Sequence, residues 1–240
     1  MPNIPSLDRI KIFADGASLP SMLESARDPR IAGFTTNPTL MRKAGISDYR
    51  AFAKEVLAAI RDKPISFEVF ADDIPEMRRQ AREIATWGTN VYVKIPVSNT
   101  RRESTESLVQ ELAAAGVKLN VTAICTLEQV RIVAKALAGG APSVVSVFAG
   151  RIADTGRDPI PLMKEALQVC RAAAPTAELL WASPRELLNI VQAAEMGCDI
   201  ITVTPDLLKK LELVGKDLAD FSLETVQMFH KDAQAAGFVL

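Results

Sequence analysis

Short apolar runs alternate with longer amphipathic stretches along most of this chain. The runs are rich in β-branched residues, and they predict strands over Lys11–Asp15, Gly33–Asn37, Ile65–Phe70, Val91–Val97, Lys118–Ile124, Ser143–Gly150, Glu178–Ser183 and Asp199–Thr204. The stretches between them predict helices over Tyr49–Arg61, Ile74–Trp87, Arg102–Ala115, Leu127–Ala138, Ile160–Ala174 and Arg185–Met196. Strands that alternate with helices of this length are typical of βαβ units, and therefore of a parallel sheet.

Eight such strands in 240 residues match the size of a (β/α)8 TIM barrel. An open, doubly wound sheet is the alternative, but it usually has fewer strands and a glycine-rich phosphate loop after the first one. Neither GxGxxG nor GxxxxGK(S/T) occurs in the chain. We therefore predict an α/β protein in which residues 1–240 form a single TIM-barrel domain.

Two further helices are expected after the last strand. Pro205–Leu213 has the pattern of a short helix, and a longer one is predicted over about Ser222–Ala236. The apolar residues at this second helix exceed what is needed to close a barrel; they are Phe221, Val226, Met228 and Phe229. We therefore expect the C-terminal helix to make a subunit contact, and the protein to be a homo-oligomer.

Charge and composition exclude several classes of function. The 28 basic and 29 acidic residues leave a net charge of -1, which argues against nucleic-acid and membrane-surface partners. The three cysteines are far apart, and the chain lacks both a leader-like N-terminus and a long apolar run, so a cytoplasmic location is expected. The single histidine, His230, excludes a metal site built on several histidines.

Polar residues interrupt almost every predicted strand. Inward side chains of a barrel are normally Val, Ile and Leu, and a buried polar group costs free energy unless it is satisfied. The exceptions lie mostly toward the carboxyl ends of the strands, where barrel enzymes have their active sites. They are Asp15, Asn37, Glu68, Lys94, Asn120, Thr122, Ser146 and Ser183.

Lys94 is the most informative of these residues, because it lies within the apolar run VYVKIPV. Burial favours the neutral amine, which is the nucleophilic form and can form a Schiff base. The alternative is a lysine that extends from the strand end into solvent. Asp15 and Glu68 would supply the proton transfers of Schiff-base chemistry. Their alternative roles are a turn at Asp15-Gly16 and a structural ion pair between Glu68 and Lys94.

Three more residues suggest contacts to a substrate. Asn37 precedes Pro38, which restricts it to extended backbone, and it is either a substrate ligand or the cap of the following helix. Arg151 and Arg185 directly follow the sixth and seventh predicted strands, where barrels often bind phosphate. Ordinary surface arginines are the alternative.

These motifs resemble the transaldolase family over most of the chain. The resemblance rests on ADG at Ala14–Gly16, GFTTNP at Gly33–Pro38, VKIP at Val93–Pro96, NVT at Asn120–Thr122, FAGRI at Phe148–Ile152 and ASPR at Ala182–Arg185. It implies the transfer of a dihydroxyacetone unit between sugar phosphates through a lysine imine, without a cofactor or a metal.

The resemblance also assigns roles to individual positions. Lys94 matches the imine lysine, Asp15 the acid–base residue for C–C cleavage, and Glu68 with Thr122 the pair that handles the catalytic water. The matching substrate-binding positions are Thr36, Asn37, Asn120, Ser146, Phe148, Arg151, Ser183 and Arg185. Short-chain members of the family form rings of five or ten subunits, which the resemblance implies here as well.

Fructose-6-phosphate aldolase is the alternative within this family. It typically has Gln at the position of Glu68 and Tyr at that of Phe148, so the residues present here favour transaldolase. The departure from the family is Pro184, which alters the loop that carries Arg185 and leaves a sulfonated or otherwise modified sugar open. A barrel that only binds a sugar phosphate, and a structural protein with a buried polar network, are the non-enzymatic alternatives.

Overall fold

A closed barrel of eight parallel strands, in sequence order, forms the centre of the computed structural model, which describes residues 7–239. The strands are β1 (Lys11–Asp15), β2 (Ile31–Thr35), β3 (Ile65–Glu68), β4 (Val91–Pro96), β5 (Leu119–Ile124), β6 (Ser143–Val147), β7 (Ala177–Trp181) and β8 (Ile200–Val203). β8 pairs with β1, which closes the barrel. The predicted TIM-barrel fold is thus confirmed.

Helices follow the strands and cover the outside of the barrel. They are α1 (Leu19–Arg27), α2 (Pro38–Lys43), α3 (Tyr49–Ala59), α4 (Ile74–Ala85), α5 (Glu106–Ala114), α6 (Leu127–Leu137), α7 (Ala149–Ala153), α8 (Ile160–Ala173), α9 (Leu188–Glu195), α10 (Pro205–Lys209) and α11 (Leu218–Ala236). Side-chain caps begin several of them: Asp48 accepts a bond from the backbone of α3, Asp73 does so for α4, and Thr126 forms a capping box with Gln129 at α6.

The core has two layers, because alternate strand residues point to opposite faces of the sheet. Between the strands and the helices lie large side chains such as Phe34, Phe67 and Trp181, each essentially inaccessible to solvent. The barrel interior is filled by a smaller apolar cluster around Phe13. A Cβ atom at Gly33 would lie 2.6 Å from the Phe13 ring, so glycine at this position is what gives the ring its space.

Several predicted boundaries are wrong where a loop begins at the end of a strand. The sixth strand ends at Val147 instead of Gly150, because Ala149–Ala153 forms α7 and the Gly150 N–H bonds the Ala182 carbonyl oxygen at 3.2 Å. The second strand ends at Thr35. Asn37 lies beyond it and caps α2, as one of its two interpretations had it.

Two helices begin later than predicted, and one begins earlier. The helices predicted to begin at Arg102 and Arg185 begin at Glu106 and Leu188. Arg102 has a φ of 64°, and Ser183, two residues before Arg185, has a φ of 59°, so the backbone at these points is not helical. The C-terminal helix begins at Leu218, because Asp217 accepts bonds from the first backbone N–H groups of the helix. The helix α1 was not among the predicted elements.

The helix α11 differs from the helices around the barrel. It spans 19 residues, and none of them is buried within the chain. Its large apolar side chains are exposed, including Leu218, Phe221, Val226 and Phe229. None of the helices within residues 7–239 combines the length and the apolar character needed to cross a membrane.

Candidate active site

A cavity of about 520 Å3 opens at the carboxyl end of the barrel strands. Nine of the residues predicted from the sequence line it: Asp15, Asn37, Glu68, Lys94, Thr122, Ser146, Phe148, Arg151 and Ser183. Three do not. Thr36 and Asn120 are fully buried behind the wall, and Arg185 lies outside it in the loop after β7. Residues from strands far apart in sequence therefore meet in one cavity, which is the site the barrel fold predicts.

Lys94 lies in the wall of this cavity and does not extend into bulk solvent, since only 8% of its side chain is exposed. Its Nζ atom is 3.1 Å from Oε2 of Glu68 and donates a hydrogen bond to the Thr36 carbonyl oxygen at 3.0 Å. The register of the sheet explains this geometry, because Glu68 is paired directly with Lys94 on the neighbouring strand. The structural ion pair considered for Glu68 is thus present, and it lies inside the cavity.

Asp15 ends the first strand on the same wall. The Thr35 hydroxyl donates a hydrogen bond to its Oδ1 at 2.8 Å. Burial raises the pKa of the Asp15 carboxyl above its usual range, while the positive charge of Lys94 and the bond from Thr35 act in the opposite direction. A carboxyl group with a raised pKa, beside a lysine, is suited to general acid–base chemistry.

A buried hydrogen-bond chain links β3, β5 and β6 behind the cavity. The Asn120 amide donates to Ser66 Oγ at 2.9 Å, and Ser146 Oγ donates to Asn120 Oδ1 at 2.7 Å. Asn120 is therefore fixed by two serines, and it fixes Ser146 in turn at the cavity wall. Ser66 was not selected from the sequence; it is the second residue of its predicted strand, whereas the selected residues lie mostly toward the carboxyl ends.

Thr122 lines the cavity and is almost completely buried. Its hydroxyl has no hydrogen-bond partner among residues 7–239. Buried hydroxyls normally have a partner, and an exception in a cavity indicates room for a water molecule or a substrate group. The backbone at the next residue, Ala123, has a φ of 63°, which is rare for a residue with a side chain.

The two candidate phosphate arginines lie in different surroundings. Arg151, in α7, lines the cavity with its guanidinium 5.2 Å from the centre of the Phe148 ring, and no carboxylate within residues 7–239 forms an ion pair with it. Arg185 donates from Nε to Oδ1 of Asp154 at 2.9 Å, and a second bond makes the pair bidentate. These bonds hold the pKa of Asp154 below its usual range. Arg151 is thus the guanidinium available to an anion in the cavity.

Other residues of the wall were not selected from the sequence. They are Thr35, Pro38, Thr39, Leu40, Ala123, Cys125, Leu180, Ala182 and Thr202. The signal for Thr35 and Thr202 was present, since both are polar residues within predicted strands. Only the barrel shows that they flank Asp15.

A larger cavity of about 1130 Å3 lies where the strands begin, at the opposite end of the barrel. The three cationic side chains that line it form ion pairs: Lys11 with Glu178, Arg30 with Asp28, and Lys216 with Glu224. Asp8 and Glu212 also line it and form no ion pair within residues 7–239, but both are exposed. It therefore lacks the unpaired and buried polar groups that mark the cavity around Lys94.

The chain is similar in sequence to one known family and to several of its members. The family model described as "Transaldolase/Fructose-6-phosphate aldolase" matches residues 12–240. A probable transaldolase of Dehalococcoides mccartyi is 35% identical over 202 residues, which cover 84% of this chain and 90% of that one. A probable transaldolase of Methanococcus maripaludis is 37% identical over 202 residues, covering 84% and 89%.

Similarity to solved structures is much weaker in sequence. The crystal structure of dihydrodipicolinate synthase from Rhodopseudomonas palustris has a TM-score of 0.56 and 14% identity, over 81% of this chain and 69% of that one. At this identity, the likeness supports the barrel fold alone.

Proposed function

Because the chain belongs to the transaldolase/fructose-6-phosphate aldolase family, we propose that it is a transaldolase that acts through a Schiff base on Lys94. It would move a dihydroxyacetone unit from a ketose phosphate, such as fructose 6-phosphate or sedoheptulose 7-phosphate, to an aldose phosphate. The observation that carries the proposal is the buried Lys94, whose Nζ lies 3.1 Å from the Glu68 carboxylate in a cavity that also contains Asp15.

The first step would be attack of the neutral Lys94 amine on the ketose carbonyl carbon. Glu68, in contact with Nζ, would take up the ammonium proton. The nitrogen of the adduct would pass one proton to the carbonyl oxygen, which becomes the hydroxyl group of the carbinolamine. Glu68 would return its proton to this hydroxyl group, which leaves as water, and the nitrogen keeps one proton as the protonated imine. Thr122 lines the same cavity, and its hydroxyl has no hydrogen-bond partner in the part of the chain that the structure describes, so it is suited to hold that water.

In the second step, the bond between the carbon α to the imine and the next carbon, which carries a hydroxyl group, would break. Asp15 would accept the proton of the hydroxyl on the departing carbon, which leaves as an aldehyde, while the protonated imine takes up the bonding electron pair. The resulting enamine would attack the incoming aldehyde, and Asp15 would return its proton to the new hydroxyl group. Asn37 and Ser146 would hold the dihydroxyacetone hydroxyls, with Asn120 fixing Ser146 from behind.

The anionic group of the sugar would bind at the mouth of the cavity. Arg151 supports this role, because it has a guanidinium without a carboxylate partner in the described chain and is stacked on Phe148. Ser183 adds a polar group on the same wall. A phosphate matches the geometry of a guanidinium, and a sulfonate offers the same charge-assisted contacts.

Two residues are the basis for proposing that the dihydroxyacetone unit is transferred to an acceptor and not released. Glu68 is a carboxylate next to Lys94, and Phe148 brings no phenol hydroxyl into the cavity. Without that hydroxyl, the enamine has one proton donor fewer and should persist until an aldehyde arrives. The alternative is a fructose-6-phosphate aldolase, which would release dihydroxyacetone.

The test is to incubate the protein with fructose 6-phosphate, with and without erythrose 4-phosphate, and to treat one half of each sample with borohydride. We expect a reduced dihydroxyacetone adduct on Lys94 by mass spectrometry, and sedoheptulose 7-phosphate only when the acceptor is present. Unphosphorylated fructose should react with a much higher KM, by about tenfold or more, if Arg151 binds the phosphate.

The other outcomes separate the alternatives. Free dihydroxyacetone at the same rate with and without acceptor would indicate the aldolase. Binding of the sugar phosphate without any adduct across a panel of ketoses would indicate a barrel that binds but does not react. An adduct with a sulfonated ketose and none with a phosphorylated one would change the substrate class while keeping the imine mechanism.

Self-association through α11 is the quaternary part of the proposal. Its apolar residues Leu218, Phe221, Val226 and Phe229 repeat along one face of the helix at about 3.6 residues per turn. Isolated exposure of this many large apolar side chains is unfavourable in water. A ring of five or ten subunits, which the family resemblance implies, would cover them.

We expect Phe229→Asp to dissociate the oligomer, because it places a carboxylate in the apolar contact. Gln227→Asp is the matched control, since it adds the same charge on the opposite face of the same helix. Light scattering coupled to size exclusion gives the mass of each. A monomeric wild type, or equal masses for all three proteins, would disprove the contact. Folding of the barrel should not change, because α11 buries no residue within its own chain.

A further inference from the structure

Two threonine hydroxyls lie in line behind the Asp15 carboxylate. Thr35 is paired with Asp15 on the neighbouring strand β2, and Thr202 lies on β8, on the other side of β1. Thr35 Oγ1 is 2.8 Å from Asp15 Oδ1 and also forms a hydrogen bond with Thr202 Oγ1. The two threonines are almost completely buried, at 2% and 6% exposure.

The number of hydroxyl protons available determines which residue donates in each of these two hydrogen bonds. A hydroxyl has one proton to donate, and an ionised carboxylate can only accept. When Asp15 is ionised, the Thr35 proton is used in the bond to Asp15. The contact between the threonines then requires the proton of Thr202, so Thr202 donates to Thr35 and Thr35 donates to Asp15.

We propose that Thr202 is a positioning residue for Asp15, acting through Thr35 to hold the ionised carboxylate in place for proton transfer. The inference rests on the proposed role of Asp15 in the transaldolase reaction. Thr202 donates a hydrogen bond to the Thr35 oxygen, and the single Thr35 proton therefore stays directed at Asp15. Hydrogen bonds in such chains strengthen one another, so the loss of the far donor weakens the near one.

The surroundings of Asp15 make the two threonines its nearest polar neighbours on the adjacent strands. β2 (IAGFT) and β8 (IITV) carry no ionisable side chain. Across the cavity, the charged groups are Lys94 and Glu68, and at the mouth the ionisable groups are Arg151 and Cys125. Lys94 lowers the pKa of Asp15, as the bond from Thr35 does, and burial raises it.

The sign of the effect follows from these opposing contributions. Asp15 has to be ionised to accept a proton in the cleavage step, so activity is lost as the pH falls through its pKa. A donor to the ionised form favours ionisation, and its removal moves that loss to higher pH. A threonine that served only to fill space would leave the midpoint unchanged.

The test compares Thr35→Val and Thr202→Val, which keep the shape of the side chain and remove the hydroxyl. The Asp15 carboxyl is titrated by NMR in protein labelled with 13C-aspartate, with Asp15→Asn to assign its signal, and kcat/KM is measured against pH. We expect both midpoints to move to higher pH, by about one pH unit in Thr35→Val and by about half a unit in Thr202→Val. Thr202→Ser should restore the wild-type midpoint.

Thr105→Val is the matched control. Thr105 is as buried as the other two and donates to the Pro96 carbonyl oxygen at 2.7 Å, away from Asp15. It should lose stability without any change in the Asp15 titration. If Thr202→Val also loses only stability, with an unchanged Asp15 midpoint, the proposal is overturned. The NMR titration needs no turnover, so a failure of the proposed transaldolase activity would not be mistaken for a failure of the hydroxyl chain.

Discussion

Replacing Lys94 with arginine is expected to abolish the reaction and the borohydride-trapped adduct together. The guanidinium stays protonated in proteins, so it can keep the ion pair with Glu68 but cannot act as the nucleophile. The loss of kcat should be about 10⁴-fold or more, as is typical when a covalent nucleophile is removed. Steady-state kinetics and mass spectrometry of the trapped protein measure the two effects.

A second variant separates loss of the amine from loss of the fold. Lys94→Met removes the charge as well and leaves the Glu68 carboxylate without its partner in a buried setting, which costs stability. If arginine and methionine are equally inactive while only methionine is unstable, the amine itself is required. Lys118→Met is the control, because Lys118 lies at the amino-terminal end of the neighbouring strand, outside the cavity. Residual adduct in Lys94→Arg would mean that another lysine forms the imine.

Gly150→Ala is expected to give the largest loss of stability of any single methyl addition in the site. A Cβ atom at Gly150 would lie 1.5 Å from the Ser183 carbonyl oxygen and 2.5 Å from its carbonyl carbon. The obstacle is backbone, which cannot rotate away as a side chain can. α7 would have to move away from the loop after β7, and with it Arg151. The cost is about 3 kcal/mol or more, at the upper end for single substitutions.

Urea unfolding of this variant measures the loss, and Gly16→Ala is its control. Gly16 lies directly after the first strand, has an ordinary backbone conformation, and an added Cβ would meet no atom within 4 Å. Its free energy of unfolding should change by less than about 1 kcal/mol. Equal stability of the two variants would show that α7 and the Ser183 loop are not packed as closely as the structure has them. In folded Gly150→Ala protein, we also expect a higher KM for a phosphorylated donor, because Arg151 is displaced.

The strands were predicted well where the pattern of residues is determined by burial on both faces. β1 and β8 are examples, since their apolar runs match the observed strands to within a residue. The errors lie at strand ends, where Ser143–Gly150 was taken as one strand. Residues 148–150 are as apolar as a strand, but hydrogen bonds from Phe148 to Ile124 and from Gly150 to Ala182 direct the chain into α7.

The residues of the candidate site were likewise predicted only in part. Lys94, Asp15 and Glu68 could be selected from the sequence, because a charged residue in a buried strand costs free energy and needs a reason to be there. Thr35, Ser66 and Thr202 were not selected, because a hydroxyl in a strand is a weaker signal than a charge, and the roles of these three depend on neighbours from other strands. Arg151 and Arg185 follow their strands in the same way, and only the structure shows that Asp154 holds one of them.

Sequence by itself determined the barrel and the residue types available to its cavity. Both follow from local rules: the spacing of apolar residues specifies strands and helices, and polar exceptions stand out against that spacing. Tertiary structure decided which of the exceptions meet. Glu68 contacts Lys94, and Thr35 joins Asp15 to Thr202, because strand register brings together residues that are distant along the chain. Register is a property of the pairing between strands, and no single strand carries it.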